Sequence, residues 1–459
     1  MNRIMGRTRI LLVLVLVLTI GTALFAGEFF AVSDSWILFP GSPHVYSAGN
    51  IGCGVITDRN GILLMDMKNQ REYSQNLALR SATLHWLGDK NGNISAPALS
   101  NYAQQLVGYD PVNGVYGYGG VGGQAKLSLS AGAQIAAINA FGDYHGTIGV
   151  YNYKTGEILC AVTAPTFDPE NPVDISGDNG NVYDGIYVNR FTQSAYTPGS
   201  IFKIATTAAA LEHIPDILEQ TFTCTGEHAY GVDKVTCYIG HGTMTFKEAM
   251  GNSCNCAYAM IAEQLGSRML SRYLEQFGIL DSLEFDGILT AKGNVELKDL
   301  YAVELAWSAI GQHKDLLNPC AYMAFMGAIA NGGVTVNPYI VSEITVGDEV
   351  TYQAQTQSTG RIMSSKTAQI LREFMRNNVV NYYGAPFEGL TVCAKTGTAE
   401  VGESITDTAT FSGFVADDKY PLAFIVVVEE GGYGLTACEP ILSKVLAACV
   451  EDMDAKSGK

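Results

Sequence analysis

The stretch ILLVLVLVLTIGTALFAG, from Ile10 to Gly27, carries no charged residue and constrains this chain more than any other feature. A run of about 20 apolar residues crosses a bilayer core as one helix, since a helix satisfies its own backbone polar groups in hydrocarbon. Arg3, Arg7 and Arg9 precede the run, and no Lys or Arg follows until Arg59. The basic side of such a helix stays inside the cell. The chain therefore reads as a single-pass protein of the cell membrane, with a cytoplasmic tail over 1–9, a transmembrane anchor over 10–27 and its bulk extracytoplasmic. A cleaved signal peptide is the alternative. The run is long for that, and Leu24-Phe25-Ala26 is a poor small-x-small cleavage site. No cysteine lies near the end of the run, so no lipoprotein-type anchor is expected.

With 459 residues the chain has room for two or three domains. It is 47% hydrophobic and 16% charged, so most of it is expected to fold around apolar cores. The formal net charge of -17 argues against a nucleic-acid partner, because nothing would neutralise phosphates. Ten cysteines are too few to act as the scaffold of a chain this size. Cys224 and Cys237 flank the polar segment CTGEHAYGVDKVTC. Outside the membrane they either close a loop, worth about 3 kcal/mol, or remain two unpaired buried thiols. Cys254 and Cys256 make only C-x-C, with no second pair at zinc-binding spacing, so no metal is expected. The glycines of GYGGVGGQ, Gly117 to Gln124, read as a loop or hinge and not a phosphate loop, since no G-K-S/T follows. No cofactor is expected.

Residues 28–135 mix short apolar runs with turn signals such as DRNG, Asp58 to Gly61, and DKNGN, Asp89 to Asn93. They read as a small strand-rich pedestal that holds the next domain off the membrane. From Leu127 the texture changes. SLSAGAQIAAINAFG predicts a helix, and GTIGVYNYKTGEILCAVTAP predicts strand, turn and strand with Gly156 in the turn. Helices are predicted over IFKIATTAAALEHI, TFKEAMGNSCNCAYAMIAEQLG, LKDLYAVELAWSAIG and AYMAFMGAIANGG. LTVCAKTGTAEV, TATFSGFVAD and PLAFIVVVEE predict three strands, and ACEPILSKVLAACVEDM a closing helix. Strands at both ends of helices make residues 136–452 an α+β domain whose sheet draws on both ends of its sequence. A short tail, 453–459, follows.

Three short patterns carry chemistry. Ser200-Ile201-Phe202-Lys203 is the only place where a serine precedes a lysine by three. On a helix i and i+3 share a face, so Lys203 can reach the Ser200 hydroxyl. Pro198-Gly199 puts Ser200 at the helix start, where its N–H is free for a developing oxyanion. Ser253-Cys254-Asn255 is S-x-N, and Lys395-Thr396-Gly397-Thr398 is K-T-G-T. Each has a decoy: Ser74-Gln75-Asn76, and Lys154-Thr155-Gly156 followed by Glu157. An acid there would repel an anionic substrate, and that segment reads as a hairpin turn.

In the order S-x-x-K, S-x-N, K-T-G-T, the chain resembles the penicillin-binding proteins and serine β-lactamases. NRFTQSAYTPGSIFK, GEILCAVTAPTFDPENP, NPCAYMAFMGAIANGG and AKTGTAEV resemble segments of the class B penicillin-binding proteins. Ile201 stands where that family more usually has Thr, and the Arg-Gly that usually precedes the DRNG is absent. The resemblance implies an antiparallel sheet flanked by helices with an all-helical lobe. It implies a peptidoglycan D,D-transpeptidase that acts on D-Ala-D-Ala stem peptides through a serine acyl-enzyme and is trapped by β-lactam antibiotics. Carried onto matching positions, Ser200 is the nucleophile and Lys203 its base. Ser253 passes a proton to the leaving amine and Asn255 orients Lys203. Thr396, Gly397 and Thr398 bind substrate, with Lys395 supplying charge. No further large domain fits, so glycan polymerisation is expected from a separate polymerase. A D,D-carboxypeptidase or β-lactamase using the same site, or a catalytically weak cell-wall scaffold, are the alternatives. His241 reads as a loop or cap histidine and Cys254 as a small packed side chain. Tyr196 and Phe202 read as core or wall residues, and Asp58 and Asp168 as turn formers.

Overall fold

The computed structural model describes residues 2–457 except 40, 41, 43, 44, 68–70, 111–114, 117–121, 179–181, 385, 386, 388 and 401–405. Most of the glycine-rich segment at residues 117–124 lies outside the described residues. The N-terminal apolar run forms one helix, Asn2–Ile37, which continues past Gly27 without a break. Its apolar part, Ile4–Ser33, has a mean hydropathy of 2.7, and Ile10–Leu18 are exposed along its length.

The centre of the molecule is a five-stranded antiparallel sheet in the order Ile158–Ala164, His145–Asn152, Leu422–Glu429, Thr408–Val415, Val392–Ala399. It joins the first hairpin of the domain to its last three strands, as the predicted elements required. These strands read as unbroken apolar runs because helices cover both faces. Phe424, Val426 and Val428 enter the core shared with the helices Ala131–Phe141 and Gly434–Ser457. Their neighbours Ala423, Ile425 and Val427 enter the opposite core, where Tyr322, Phe325 and Met326 of the helix Pro319–Ala330 pack. Each such buried Val, Ile or Phe contributes about 1.5–3 kcal/mol relative to exposure.

The pedestal is built around a six-stranded sheet ordered Glu349–Gln353, Val341–Val346, Gln124–Leu127, Val55–Thr57, Leu63–Asp66, Glu72–Tyr73. Two of its strands come from beyond residue 340, so the boundary expected at residue 135 cuts through a hydrogen-bonded sheet. Lys126 Nζ and Glu343 Oε1, 2.8 Å apart, pair across that junction. The Asp58 turn is likewise shared. One carboxylate oxygen accepts from the N–H of Asn60 and Ile62, and the other from Ala131 at the start of the sheet-covering helix. Next to it Arg59 lies 3.3 Å from Asp452 and 3.5 Å from Glu157. Asp168 also forms its turn, and in addition chelates the Arg80 guanidinium with both oxygens.

The other side of the central sheet carries a lobe of helices, among them Lys203–His213, Asn255–Phe277, Ala302–Ile310 and Ser365–Asn378. Two short hairpin pairings sit at its edge: Thr221–Cys224 with Gly242–Thr245, and Glu227–Tyr230 with Asp233–Thr236. The single helix expected across residues 245–266 is two helices. Phe246–Gly251 starts on a capping box of Thr245 and Glu248, and Asn255–Phe277 starts on Cys254. Between them Ser253 adopts a left-handed φ of 52°, which no helix interior accommodates. Helical periodicity persists across the break, so pattern alone does not reveal it.

Candidate active site

Ser200 lies in a tight 3-10 turn, Gly199–Phe202, that runs into the helix Lys203–His213. Gly199 makes the turn possible. Its φ is 57°, and a Cβ there would sit 2.6 Å from the carbonyl oxygen of Thr398. The turn is held from several sides. Gly199 N–H donates to Gly311 O, Thr410 Oγ1 to Pro198 O, and Tyr322 Oη to Ile201 O at 2.6 Å. Ser200 itself is half-buried, whereas Lys203 is fully buried.

Lys203 Nζ is surrounded by oxygen. It lies 3.1 Å from Ser200 Oγ, 3.1 Å from Ser253 Oγ, and 2.7 Å from both Ser253 O and Asn255 Oδ1. The Asn255 amide is oriented by its Nδ2, which donates to Thr236 O at 2.8 Å. The two shortest contacts are to atoms that only accept. A neutral amine would spend both N–H groups there, leaving its lone pair for a hydroxyl. Burial favours that state, lowering the Lys203 pKa to about 8.

Ser253 links the second lysine to the first. Lys395 Nζ lies 3.1 Å from Ser253 Oγ and donates to Thr396 O at 2.8 Å. Lys395 is also fully buried, and its pKa falls well below the lysine range, first through burial and then through the Lys203 charge. Ser200, Lys203, Ser253, Asn255 and Lys395 thus form one hydrogen-bonded chain from three distant parts of the sequence. Lys395 lies on the edge strand Val392–Ala399. That strand runs against the turn Gly199–Phe202 because residue 397 has no side chain. A Cβ on Gly397 would lie 2.2 Å from Thr410 Oγ1 and 2.9 Å from Pro198 O. Thr396 is buried and its N–H donates to Tyr383 Oη. Thr398 is half-buried, its hydroxyl accepting from Gly434 N–H at 3.4 Å. Both threonines continue the edge past Ser200, and of the two only the Thr396 carbonyl is tied to the lysine–serine chain, through Lys395.

The decoys are elsewhere. Lys154-Thr155-Gly156 forms the turn of the first hairpin, and Asn76 caps the helix Leu77–Leu87. Several supporting residues carry no local signal. Tyr322 lies in an apolar helix and reads as core, and Gln312, which reaches Thr398 O, sits in a loop. Tyr196 is half-buried and donates to Glu429 Oε1 at 2.7 Å, while Arg190 holds the same carboxylate. Phe202 is core, as expected. All ten cysteines are free thiols, so Cys224 and Cys237 are not bonded to each other. Instead Cys224, Cys237, His241 and Cys254 converge beside the Lys203–Ser253 cluster, with all four potential ligand atoms within 4.8 Å of one another. Their spacing of twelve, three and twelve intervening residues hides this gathering.

The family described as penicillin binding protein transpeptidase domain matches residues 146–447. Stage V sporulation protein D of Bacillus subtilis is 31% identical over 343 residues, which are 70% of this chain and 52% of that protein. Peptidoglycan D,D-transpeptidase PbpA of Mycolicibacterium smegmatis is 28% identical over 369 residues, 72% of this chain and 73% of that protein. The chain thus spans about half the length of the first relative and nearly three quarters of the second. The D,D-transpeptidase domain of a peptidoglycan glycosyltransferase from Eggerthella lenta superposes with a TM-score of 0.74 at 25% identity, covering 87% of this chain and 98% of that one. Penicillin-binding protein A of M. tuberculosis, solved as a ceftriaxone acyl-enzyme complex, gives 0.76 at 24% identity over 86% and 98%. The matched residues take in the central sheet, the helical lobe and all three motifs, and the chain belongs to the penicillin-binding protein transpeptidase family.

Proposed function

We propose that this chain is a peptidoglycan D,D-transpeptidase that cleaves D-Ala-D-Ala stem peptides through an acyl-enzyme on Ser200. The observation that carries the reading is the buried Lys203 amine, 3.1 Å from Ser200 Oγ, with its two shortest contacts fixed on acceptor oxygens. A serine hydroxyl is a weak nucleophile until a base takes its proton. Neutral Lys203 accepts that proton as Ser200 Oγ bonds to the carbonyl carbon of the penultimate D-Ala. The N–H groups of Ser200 and Thr398 stabilise the oxyanion, at about 3 kcal/mol per donor. Ser253 Oγ, between the two amines, passes a proton to the departing D-Ala nitrogen as the C–N bond breaks. Lys395 supplies positive charge for the substrate carboxylate, which Thr396 and Thr398 bind beside Gly397. An amine of a second stem peptide then attacks the ester carbonyl, regenerates Ser200 and leaves a cross-link.

The same reading covers location and partners. The helix Asn2–Ile37 anchors the enzyme, with Arg3, Arg7 and Arg9 on the cytoplasmic side and the pedestal and domain facing the cell wall. A separate glycan polymerase makes the strands that are cross-linked. Penicillin G acylates Ser200 by opening its β-lactam ring, so no fragment leaves and the adduct has the mass of the whole antibiotic.

Intact mass measurement of the full chain in detergent with penicillin G tests this. The expected result is one stable adduct on Ser200 and none with Ser200→Ala. A covalent adduct on Ser200→Ala would overturn the assignment. Rapid adduct loss with antibiotic hydrolysis would mark a β-lactamase instead.

A further inference from the structure

Where the pedestal meets the segment leading to Ser200, the surface folds into a hollow of about 290 Å³ whose described wall holds no Asp, Glu, Lys or Arg. Residues 85–98 of the pedestal, residues 187–193 and the pair Ile288 and Leu289 enclose it. Such a wall is unusual in a chain of net charge -17. Four other hollows all carry charged side chains, such as Glu451 and Asp454 on the C-terminal helix or Arg71 and Lys90 in the pedestal. The polar groups here are neutral, and several have no protein partner. His85 is buried, and its Nε2 meets Ile186 O at 2.8 Å, an atom that only accepts. Nε2 therefore carries the ring proton, and Nδ1 is a bare acceptor with no donor among the described residues. Burial lowers the His85 pKa to about 4, so the ring is neutral near pH 7. Gln193 Oε1 accepts from Asn189 N–H at 2.8 Å, which fixes the amide and leaves its Nε2 as a donor. Thr192 and Tyr187 add hydroxyls. Trp86 Nε1 donates to Ala161 O at 2.7 Å, so what that ring adds to the wall is carbon, beside Ile94 and Ile288.

We infer that this hollow binds one uncharged sugar ring, an N-acetylhexosamine unit of the glycan strand that carries the stem peptides. Such a ring presents hydroxyl donors to the His85 acceptor and oxygen acceptors to the Gln193 amide. Its carbon face suits the apolar wall of Trp86, Ile94 and Ile288. A charged ligand would lose its hydration with no opposite charge to offset the loss. The size agrees. The hollow has the volume of about ten waters, enough for a single ring and at the small end of ligand sites. Its position gives the site a task. Gln193 ends the short helix Arg190–Gln193, and the chain runs on through Tyr196 into the turn Gly199–Phe202. A glycan strand seated here is held at once by the pedestal and by the segment that carries Ser200. That suits a non-catalytic subsite that keeps the polymer on the enzyme between cross-links. The choice of a glycan sugar rests on the peptidoglycan reading, whereas the neutrality of the ligand rests on the wall alone.

The test uses the full chain in a detergent without a sugar head group, with 5-fluorotryptophan at Trp36, Trp86 and Trp307, the three tryptophans of the chain. Trp36→Phe and Trp307→Phe assign the fluorine signals. The probe is the methyl glycoside of N-acetylglucosamine, titrated by fluorine NMR. The Trp86 signal is expected to shift with a Kd of about 1 mM, the range open to so small a ligand, while the other two stay in place. Gln193→Leu, at an exposed position, is expected to weaken binding about 10-fold, the scale of one hydrogen bond, and to leave the penicillin acylation rate unchanged. Glucosamine and glucuronate, each charged, are expected to leave Trp86 unshifted. A Trp86 signal that does not move at about 50 mM probe, far above the expected Kd, overturns the proposal. So does undiminished binding in Gln193→Leu, or an equal shift with the charged sugars or with glycerol, which would make the hollow unselective. The titration does not involve Ser200. Sugar binding by a chain that penicillin fails to acylate sinks the acyl-enzyme reading alone, and acylation without sugar binding sinks this one alone.

Discussion

The tripeptide Lys-Thr-Gly occurs twice on the central sheet, and the two copies have different fates. Lys154-Thr155-Gly156 turns between the strands His145–Asn152 and Ile158–Ala164. Lys154 is exposed, its ammonium on Asn331 Oδ1, and Gly156 takes a φ of 93° to close the turn. Lys395-Thr396-Gly397 lies inside an extended edge strand. There Lys395 is buried against Ser253, and Gly397 serves by clearance instead of by a left-handed φ. Identical residues are a surface hairpin in one place and a buried wall beside the Ser200 turn in the other. The difference is what packs on them. A lysine in water is a solvated cation, whereas a lysine sealed against a second lysine is forced toward neutrality.

The sharpest test replaces the lysines. Lys203→Ala removes the base and is expected to lower the penicillin acylation rate by about 10³–10⁴-fold. Lys395→Ala is expected to cost about 10²–10³-fold, the scale of losing one aligned electrostatic donor. Lys154→Ala is expected to leave the rate unchanged, and a large loss there in stopped-flow acylation would erase the contrast.

The glycines separate the copies in another way. Gly397→Ala is expected to lose both stability and acylation, because the new Cβ drives into Thr410 and the Pro198 carbonyl. Overpacking of this kind costs about 1–3 kcal/mol. Gly156→Ala also strains, at a positive φ with Asn337 O 2.3 Å from the new Cβ. Its folded fraction is nevertheless expected to acylate at the wild-type rate. Denaturant melts combined with active-site titration distinguish the two.

The pH profile follows from Lys203. Its conjugate acid holds a proton below about 8, so the amine cannot accept one from Ser200 there. Acylation is expected to rise with pH up to about 8 and level off above it. A rate flat from neutral pH through that range would show that Lys203 is not the titrating base. The smallest effect is expected at Asn331→Ala, which removes the amide's contacts with the Lys154 ammonium and Val334 O and costs about 1 kcal/mol.

Much of the framework was legible because it is local. The apolar run to Gly27, the hairpin around Gly156 and the three terminal strands all depend on neighbours along the chain. The i, i+3 relation of Ser200 and Lys203 is likewise a property of one helical turn. What was not legible crosses long distances. The boundary at 135 failed because strands from beyond residue 340 complete the pedestal sheet. The helix across 253 failed because Ser253 turns left-handed to face two lysines, a demand made by the site and invisible in the periodicity.

By itself, then, the sequence determined the N-terminal apolar helix, the apolar runs that bury both sheet faces, and the placement of Ser200 beside Lys203. Only the tertiary structure decided which Lys-Thr-Gly meets the serine and that both lysines are buried. It also decided that Cys224, Cys237, His241 and Cys254 share one point in space. The physical reason is separation. Ser253 meets Lys203 across 50 residues and Lys395 across 142, and contacts that distant exist only once the sheet and the lobe have packed.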